Sequence, residues 1–193
     1  MLDKKAEIYR CGKELFCSKG FKDTNIAEIT KMAGIATGSF YNYYPSKEKL
    51  FMEIYNEENV KLKRQIMGTT DLTDNPVNVI QRILSLNLQG MNSNPILREW
   101  YNREVFGKIE KSFREENGIE KVDFLYSSFI EIVETWQTQG KMRNDIDSRM
   151  IMMIFAAIIN VDTHKDEIGL EYFPELLNCM TELIMQSLTD CLE

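Results

Sequence analysis

Apolar residues recur every three or four positions through most of the chain, which is the spacing that places side chains on one face of an α-helix. The first such stretch carries Ile8, Cys11, Leu15 and Phe16 and ends at Gly20, a residue that suits a left-handed helix end. No segment shows the two-residue alternation of a half-buried strand. The pattern therefore predicts an all-α fold of about nine helices.

Two short helices follow the first helix. One begins at Asn25, which has the spacing of a capping box to Glu28, and ends before Gly34. The next repeats apolar rings at Phe40 and Tyr44 before a proline ends it. Two short helices around a glycine turn make the layout of a helix-turn-helix, although such pairs also occur in bundles that never bind DNA.

Longer helices are predicted beyond this region. The fourth starts at Ser46 and continues to about Gly68, where a polar, breaker-rich stretch begins. Asn75-Pro76 and Asn94-Pro95 each carry the start signal of a further helix, and Gly107 is a candidate kink in the second of these two. The last three helices are expected at residues 119–139, 147–163 and 174–188.

The composition is that of a globular protein, with 44% hydrophobic and 27% charged residues. The longest apolar stretch, residues 150–159, is about half of the roughly 20 residues that a bilayer crossing needs. The amino terminus lacks the apolar core and cleavage site of a secretory signal. We therefore expect a cytoplasmic protein without a membrane partner.

Few residues are suited to catalysis or to metal binding. The four cysteines, Cys11, Cys17, Cys179 and Cys191, have no metal-ligand spacing, and His164 is the only histidine. We expect no metal, no cofactor and no enzymatic activity, because the chain also lacks a phosphate loop and the glycines of a nucleophile elbow. Redox sensing by the cysteines and a pH response of His164 stay open beside ordinary structural roles.

Charge is divided unevenly along the chain, whose net charge is −7. Residues 1–50 contain nine Lys and Arg against six Asp and Glu, which leaves 14 against 24 in the rest. Since phosphate attracts the basic part and repels the acidic part, a nucleic acid would be approached by the amino-terminal end.

The residue types around Phe40 fit a surface that reads DNA. If Phe40 and Tyr44 face the core, uncharged hydrogen-bonding side chains are left outside, namely Thr37, Ser39, Tyr41, Asn42 and Tyr43. Hydroxyl and amide groups bond phosphates or base edges, and small residues at the leading end let the backbone approach the major groove.

Here the sequence resembles the tetracycline-repressor (TetR) family of transcriptional regulators over roughly its first fifty residues. The resemblance rests on these residues: Leu15-Phe16, Gly20-Phe21, Thr24, Ile29, Ala33-Gly34-Ile35, Gly38-Ser39-Phe40-Tyr41-Asn42-Tyr43-Tyr44 and Ser46-Lys47-Glu48-Lys49-Leu50. It implies a helix-turn-helix DNA-binding domain at residues 1–46 and a helical domain for ligand binding and dimerisation at residues 47–193.

The resemblance also implies roles for single residues. The groove and the DNA backbone would be contacted by Thr37, Gly38, Ser39, Tyr41, Asn42 and Tyr43. Lys47 would bind a phosphate beside the start of the fourth helix, and Asn25 would cap the second helix and touch a phosphate. The sequence departs from the family at Ala36, where a serine is usual, so that Thr37 is a candidate cap, and at Thr30, where an alanine is usual.

A homodimer is expected, because a recognition helix of about two turns buries too little surface to bind specifically alone. The last two helices are apolar nearly all round and so are expected to face a core on one side and a partner on the other. Their apolar residues are Met150, Ile151, Met153, Ile154, Ala157, Ile158 and Val161, and Leu176, Leu177, Met180, Leu183, Ile184 and Leu188. Deep burial within a monomer is the alternative.

An apolar cavity in the helical domain is typical of the family and would receive a small-molecule effector. The predicted ligand residues are Trp100, Tyr101, Glu104, Phe129 and Trp136. The function expected from the resemblance is a homodimeric repressor that binds palindromic operator DNA and is released by the effector. The alternative is a DNA-bound interaction protein that recruits a protein partner without an effector.

Overall fold

The computed structural model describes residues 3–115, 123–161 and 173–189, and within these ranges the chain is helical and contains no strand. The predicted all-α fold is therefore confirmed. The elements are α1 (Lys4–Asp23), α2 (Ile26–Met32), a 3₁₀ helix (Thr37–Asn42), α3 (Lys47–Thr69), α4 (Pro76–Ser93), α5 (Pro95–Arg98), a 3₁₀ turn (Glu99–Tyr101), α6 (Arg103–Glu115), α7 (Asp123–Thr138), α8 (Ser148–Val161) and α9 (Phe173–Thr189). His164 and Cys191 lie outside the described residues. No helix in the described ranges is both long enough and apolar enough to cross a bilayer.

Polar side chains cap the first turns of two helices at the positions that the sequence predicts. The Asn25 side chain accepts a hydrogen bond from the Glu28 amide at 2.9 Å, which satisfies one of the amides left open in the first turn of α2. Asn94 accepts from the Ile96 amide at 2.9 Å, with Pro95 in the first position of α5.

The sixth predicted helix is divided in two, and the division is at Asn102 rather than at Gly107. Asn102 has extended backbone angles, its carboxamide oxygen lies 3.2 Å from the amide of Glu104, and its Nδ2 donates to Glu99 at 3.0 Å. An asparagine side chain that bonds nearby backbone in this way ends one helix and caps the next. Gly107 lies within α6.

The chain forms two compact units. The first contains Met1–Leu62 and Gln89–Lys121, and the second contains Lys63–Leu88 and Val122–Glu193. In the first unit, the rings of Phe16, Phe21 and Phe51 pack with centroid separations of 5.0–6.0 Å. The core of the second unit includes Val79, Ile80, Val133, Trp136, Ile151, Phe155, Leu177 and Met185. The domain boundary at residues 46 and 47 stays a prediction.

Gly20 interrupts α1 one turn before the helix ends at Asp23. Its φ of 80° and ψ of 173° lie in a region that is essentially restricted to glycine. Next to it, the Phe21 amide donates to Oε1 of Glu99 at 3.0 Å. A Cβ at Gly20 would lie 2.5 Å from that same carboxylate oxygen. The position therefore requires glycine both for its backbone angles and for the approach of Glu99.

We expect Gly20→Ala to lower the free energy of unfolding by about 1–3 kcal/mol, because it adds backbone strain and displaces the Glu99 carboxylate. The matched control is Gly107→Ala in α6, where an added Cβ meets no described atom within 4 Å and a neutral or slightly stabilising effect is expected. Thermal unfolding monitored by circular dichroism measures both. Equal unfolding midpoints for the two variants would contradict the requirement for glycine at position 20.

Candidate nucleic-acid interface

The turn after α2 places the 3₁₀ helix that follows it, and Gly34 makes this turn possible. Gly34 has a φ of 68°. Its amide donates to the carbonyl of Lys31 at 3.2 Å, and the Ile35 amide donates to the carbonyl of Thr30 at 3.0 Å. These two bonds form a Schellman motif, which satisfies the last carbonyls of α2 and reverses the chain.

Residues Thr37–Asn42, called the recognition segment below, form the 3₁₀ helix instead of the predicted third α-helix. The side chain of Phe40 is completely buried, and that of Tyr44 is 3% exposed and donates to Glu53 at 3.1 Å. Both rings therefore point inward, as predicted. A segment this short has no stable helical hydrogen-bond ladder of its own, so that its position depends on these buried rings.

The predicted DNA-contacting side chains lie on the outer side of this segment. Tyr41 is 58% exposed and Tyr43 is 37% exposed. Thr37, Gly38 and Asn42 are also exposed, and Ser39 is half-buried. This surface presents hydroxyl, amide and phenol groups, and the segment itself contains no carboxylate. Such a surface is able to approach phosphates and base edges.

Ala36, and not Thr37, occupies the cap position of the recognition segment, and it supplies no side-chain cap. The Thr37 hydroxyl instead lies 3.2 Å from the hydroxyl of Thr30 in α2. Thr37 is therefore not used as the helix cap that its sequence position suggested. Its hydroxyl instead contacts the preceding helix.

Asn25 and its neighbours form the start of α2. Asn25 is exposed, and its side chain forms one of the two hydrogen bonds of the predicted capping box, the one from the Glu28 amide. The Glu28 carboxylate forms an ion pair with Lys19 at 2.7 Å, and this hydrogen bond is the main cause that lowers the pKa of Glu28. The start of α2 is thus held by one cap and one surface ion pair.

Lys47 lies at the first position of α3, but its ammonium is directed back to the end of α1. Nζ donates to the carbonyls of Phe21 and Thr24, each at 2.7 Å, and lies 4.2 Å from the centroid of the Phe21 ring. Burial lowers the pKa of Lys47 below the ordinary range of lysine. An ammonium has three N–H donors. Two of them bond the carbonyls at the end of α1, and one is left for another acceptor.

The predicted effector residues belong to different units. In the first unit, Trp100 is half-buried and stacks on Tyr55 at 5.6 Å, Tyr101 is half-buried, and Glu104 is exposed and pairs with Lys22. In the second unit, Phe129 is half-buried and packs edge-on against Phe155 at 5.7 Å, whereas Trp136 is 2% exposed.

The sequence interpretation missed a buried polar pair in the second unit. Lys63 in α3 donates to the side chain of Asn87 in α4, and Asn87 is 5% exposed. Burial lowers the pKa of Lys63 to about 8. Across the described ranges, no group of three or more His, Cys, Asp and Glu side chains is placed to hold a metal ion.

Comparisons with known proteins agree with this geometry. A family model described as bacterial regulatory proteins, tetR family, matches residues 8–54. The transcriptional regulator QacR of Staphylococcus aureus is 38% identical over 61 residues, which cover 32% of this chain and 32% of QacR. The probable acrEF/envCD operon repressor of Escherichia coli is 24% identical over 162 residues, which cover 78% of this chain and 73% of that protein. The match thus spans about a third of QacR.

Solved structures resemble the fold along nearly the whole chain. A crystal structure of Thermus thermophilus FadR, a repressor in complex with lauroyl-CoA, superposes with a TM-score of 0.62 and 22% identity, covering 92% of this chain and 89% of that one. At this identity the likeness shows the shared fold. Residues 8–54 therefore match the family of bacterial regulatory proteins described as tetR, and the chain shares the fold of TetR-family structures.

Proposed function

We propose that this protein is a homodimeric transcriptional repressor that binds palindromic operator DNA and is released from it by a small-molecule effector. The observation that carries the proposal is the recognition segment, in which Phe40 and Tyr44 are buried while Tyr41 and Tyr43 remain exposed. Buried anchors on one side and exposed hydrogen-bonding groups on the other are what a segment needs to enter a major groove in a fixed orientation.

The proposed DNA contacts are divided by chemistry. Thr37, Gly38, Ser39, Tyr41, Asn42 and Tyr43 form the groove-facing surface, while Asn25 and the third N–H donor of Lys47 are assigned to phosphates. Bonds to phosphates set the position on the duplex, and contacts to base edges select the sequence. The basic balance of residues 1–50 favours approach by this end of the chain.

The proposed dimer surface lies on α8 and α9 in the second unit. On α8, Ile151, Phe155 and Ile158 are buried, whereas Met150 and Met153 are 57% and 60% exposed. On α9, Leu177, Met185 and Leu188 are buried, whereas Leu183 is 60% exposed. Each helix thus has a core face and large apolar side chains outside it, which is typical of a surface that a partner covers.

The effector is proposed to bind among the aromatic residues of the helical domain, and each unit is a separate candidate: Trp100, Tyr101 and Glu104 in the first unit, or Phe129 and Trp136 in the second. FadR of Thermus thermophilus, which shares the fold, is a repressor and was solved with lauroyl-CoA. Release from DNA requires that the effector binds one arrangement of the dimer more tightly than the arrangement that fits the operator.

Tyr41→Ala is expected to weaken operator binding about tenfold at fixed salt and to leave the unfolding midpoint unchanged, because Tyr41 is exposed and contacts the groove only in the complex. Fragments retained from the source genome in low salt supply the operator, and a gel-shift titration measures affinity. Gln81→Ala, at an exposed position on α4, is the control. Wild-type protein that retards no promoter fragment in low salt would overturn the proposed function.

Met153→Glu and Leu183→Glu are each expected to convert the dimer to a monomer, because a carboxylate would be buried in the apolar interface without a partner. Operator affinity should fall with dimerisation. Analytical ultracentrifugation measures the mass, and Gln81→Glu adds the same charge at an exposed site outside α8 and α9. Dimers of unchanged stability in both variants would place the interface elsewhere.

The two tryptophans offer a test of the effector site, since Trp100 belongs to the first unit and Trp136 to the second. Compounds that include lauroyl-CoA are added to the protein–DNA complex, and those that release the DNA are titrated into Trp100→Phe and Trp136→Phe proteins without DNA. The Trp100→Phe protein retains Trp136 as its one tryptophan. We expect its fluorescence to change over the concentrations of compound that release the DNA, because an effector in the helical domain alters the surroundings of Trp136. A releasing compound that changes neither fluorescence would contradict the predicted residues.

A further inference from the structure

A pair of hydroxyl groups joins α2 to the recognition segment. Thr30 is 1% exposed, and its Oγ1 lies 2.9 Å from the carbonyl oxygen of Ile26 and 3.1 Å from that of Ala27. The same Oγ1 lies 3.2 Å from Oγ1 of Thr37, which is exposed. The Thr30 hydroxyl thus has three oxygen neighbours, of which two are carbonyls.

The direction of the hydrogen bond between the two threonines follows from these neighbours. A hydroxyl has one proton, and a carbonyl oxygen has none to give. If Thr30 donated to Thr37, its lone pairs would face the carbonyl oxygens of Ile26 and Ala27 at hydrogen-bond distance with no proton between them. The Thr30 proton is therefore directed to the carbonyls within α2, and Thr37 donates its own proton to Thr30.

This direction determines what Thr37 offers to a ligand outside the protein. Its proton is engaged with Thr30, so the exposed side of the hydroxyl presents lone pairs only. A hydroxyl in this state accepts from N–H groups and has no proton for phosphate oxygens or for the acceptors on guanine and thymine. In the major groove, N–H donors are found on N6 of adenine and N4 of cytosine.

We propose, on the basis of the proposed function, that Thr30 fixes Thr37 as a hydrogen-bond acceptor and thereby selects adenine or cytosine at one symmetric position of the operator. Thr30 is a positioning residue, since it is buried and acts through Thr37. The resulting specificity differs from that of a freely rotating threonine, which either donates or accepts and so distinguishes bases poorly.

The test selects bound duplexes from a randomised pool with the full-length wild-type protein and with variants. On the strand that Thr37 contacts, we expect wild type to prefer adenine or cytosine over guanine and thymine at the one position that is sensitive to Thr37 by about two- to tenfold, the range of a single neutral hydrogen bond. Thr30→Val keeps the volume but removes the acceptor, so the Thr37 proton is released and guanine or thymine become acceptable there. Thr37→Val should lose the preference, and Thr37→Ser should keep it.

A chemical substitution in the DNA tests the same contact without changing the fold. In the selected operator, the adenine at this position is replaced by purine without the 6-amino group, or the cytosine by the pyrimidinone without the 4-amino group. The affinity of wild type should fall about two- to tenfold, whereas the affinity of the Thr37→Val variant should be the same for both duplexes. Thr135→Val removes a hydroxyl that is bonded within α7 and serves as the control.

Several outcomes would overturn the assignment. The Thr30 hydroxyl has no role in base selection if Thr30→Val selects the same base as wild type. The assigned direction is wrong if removing the amino group from the adenine or cytosine of the base pair that depends on Thr37 leaves wild-type affinity unchanged. If Thr30→Val does not fold, the Thr37 variants and the substituted operators decide the matter alone. A wild-type protein that selects no sequence would overturn the proposed function itself, whereas selection of a site that is insensitive to Thr37 would overturn only this inference.

Discussion

The proposed DNA-binding surface depends on the burial of Phe40. The recognition segment has six residues in 3₁₀ geometry and therefore too few hydrogen bonds to hold its own shape. Its position comes from the Phe40 and Tyr44 rings, which are inserted into the first unit, and from the turn at Gly34. The orientation of Tyr41 follows from the same anchoring, because its ring packs edge-on against Phe40 with centroids 5.6 Å apart.

The end of α1 is held in a second, related way. Glu99 accepts from the Phe21 amide, and Lys47 donates to the carbonyls of Phe21 and Thr24. One anionic and one cationic side chain, which come from separate later parts of the chain, thus satisfy the backbone groups that a helix end leaves open. The glycine at position 20 is the condition for this arrangement, since a larger residue would occupy the place of the Glu99 carboxylate.

The sequence predicts most of the helices because their signals are local. Periodic apolar residues and caps such as Asn25 and Asn94 act within one or two turns, and the structure forms those helices. The inward direction of Phe40 and Tyr44 is likewise confirmed, since the four-residue spacing allows only one shared face. The family resemblance of the first fifty residues is confirmed by the match over residues 8–54.

The features that the sequence did not predict depend on contacts between distant residues. Lysine at a helix start usually extends into solvent, so nothing local indicates that Lys47 returns to the carbonyls of α1. The same holds for Lys63, whose burial beside Asn87 is decided by the packing of α3 against α4. The break at Asn102 was missed for a different reason, because the apolar spacing continues across it and only the asparagine, a residue that favours caps, marks it.

The match to the family model ends at residue 54, but the core that supports the recognition segment does not end there. Ile96, Leu97, Val105 and Ile109 are at most 3% exposed and belong to the same core cluster as Phe40 and Phe51. Burial of such side chains contributes about 1.5–3 kcal/mol each, so their removal would leave the amino-terminal helices with an open apolar surface. The helices that carry the proposed DNA-binding residues therefore share one core with α5 and α6. Any rearrangement in residues 95–109 would alter the packing beneath these helices, whatever ligand or partner causes it.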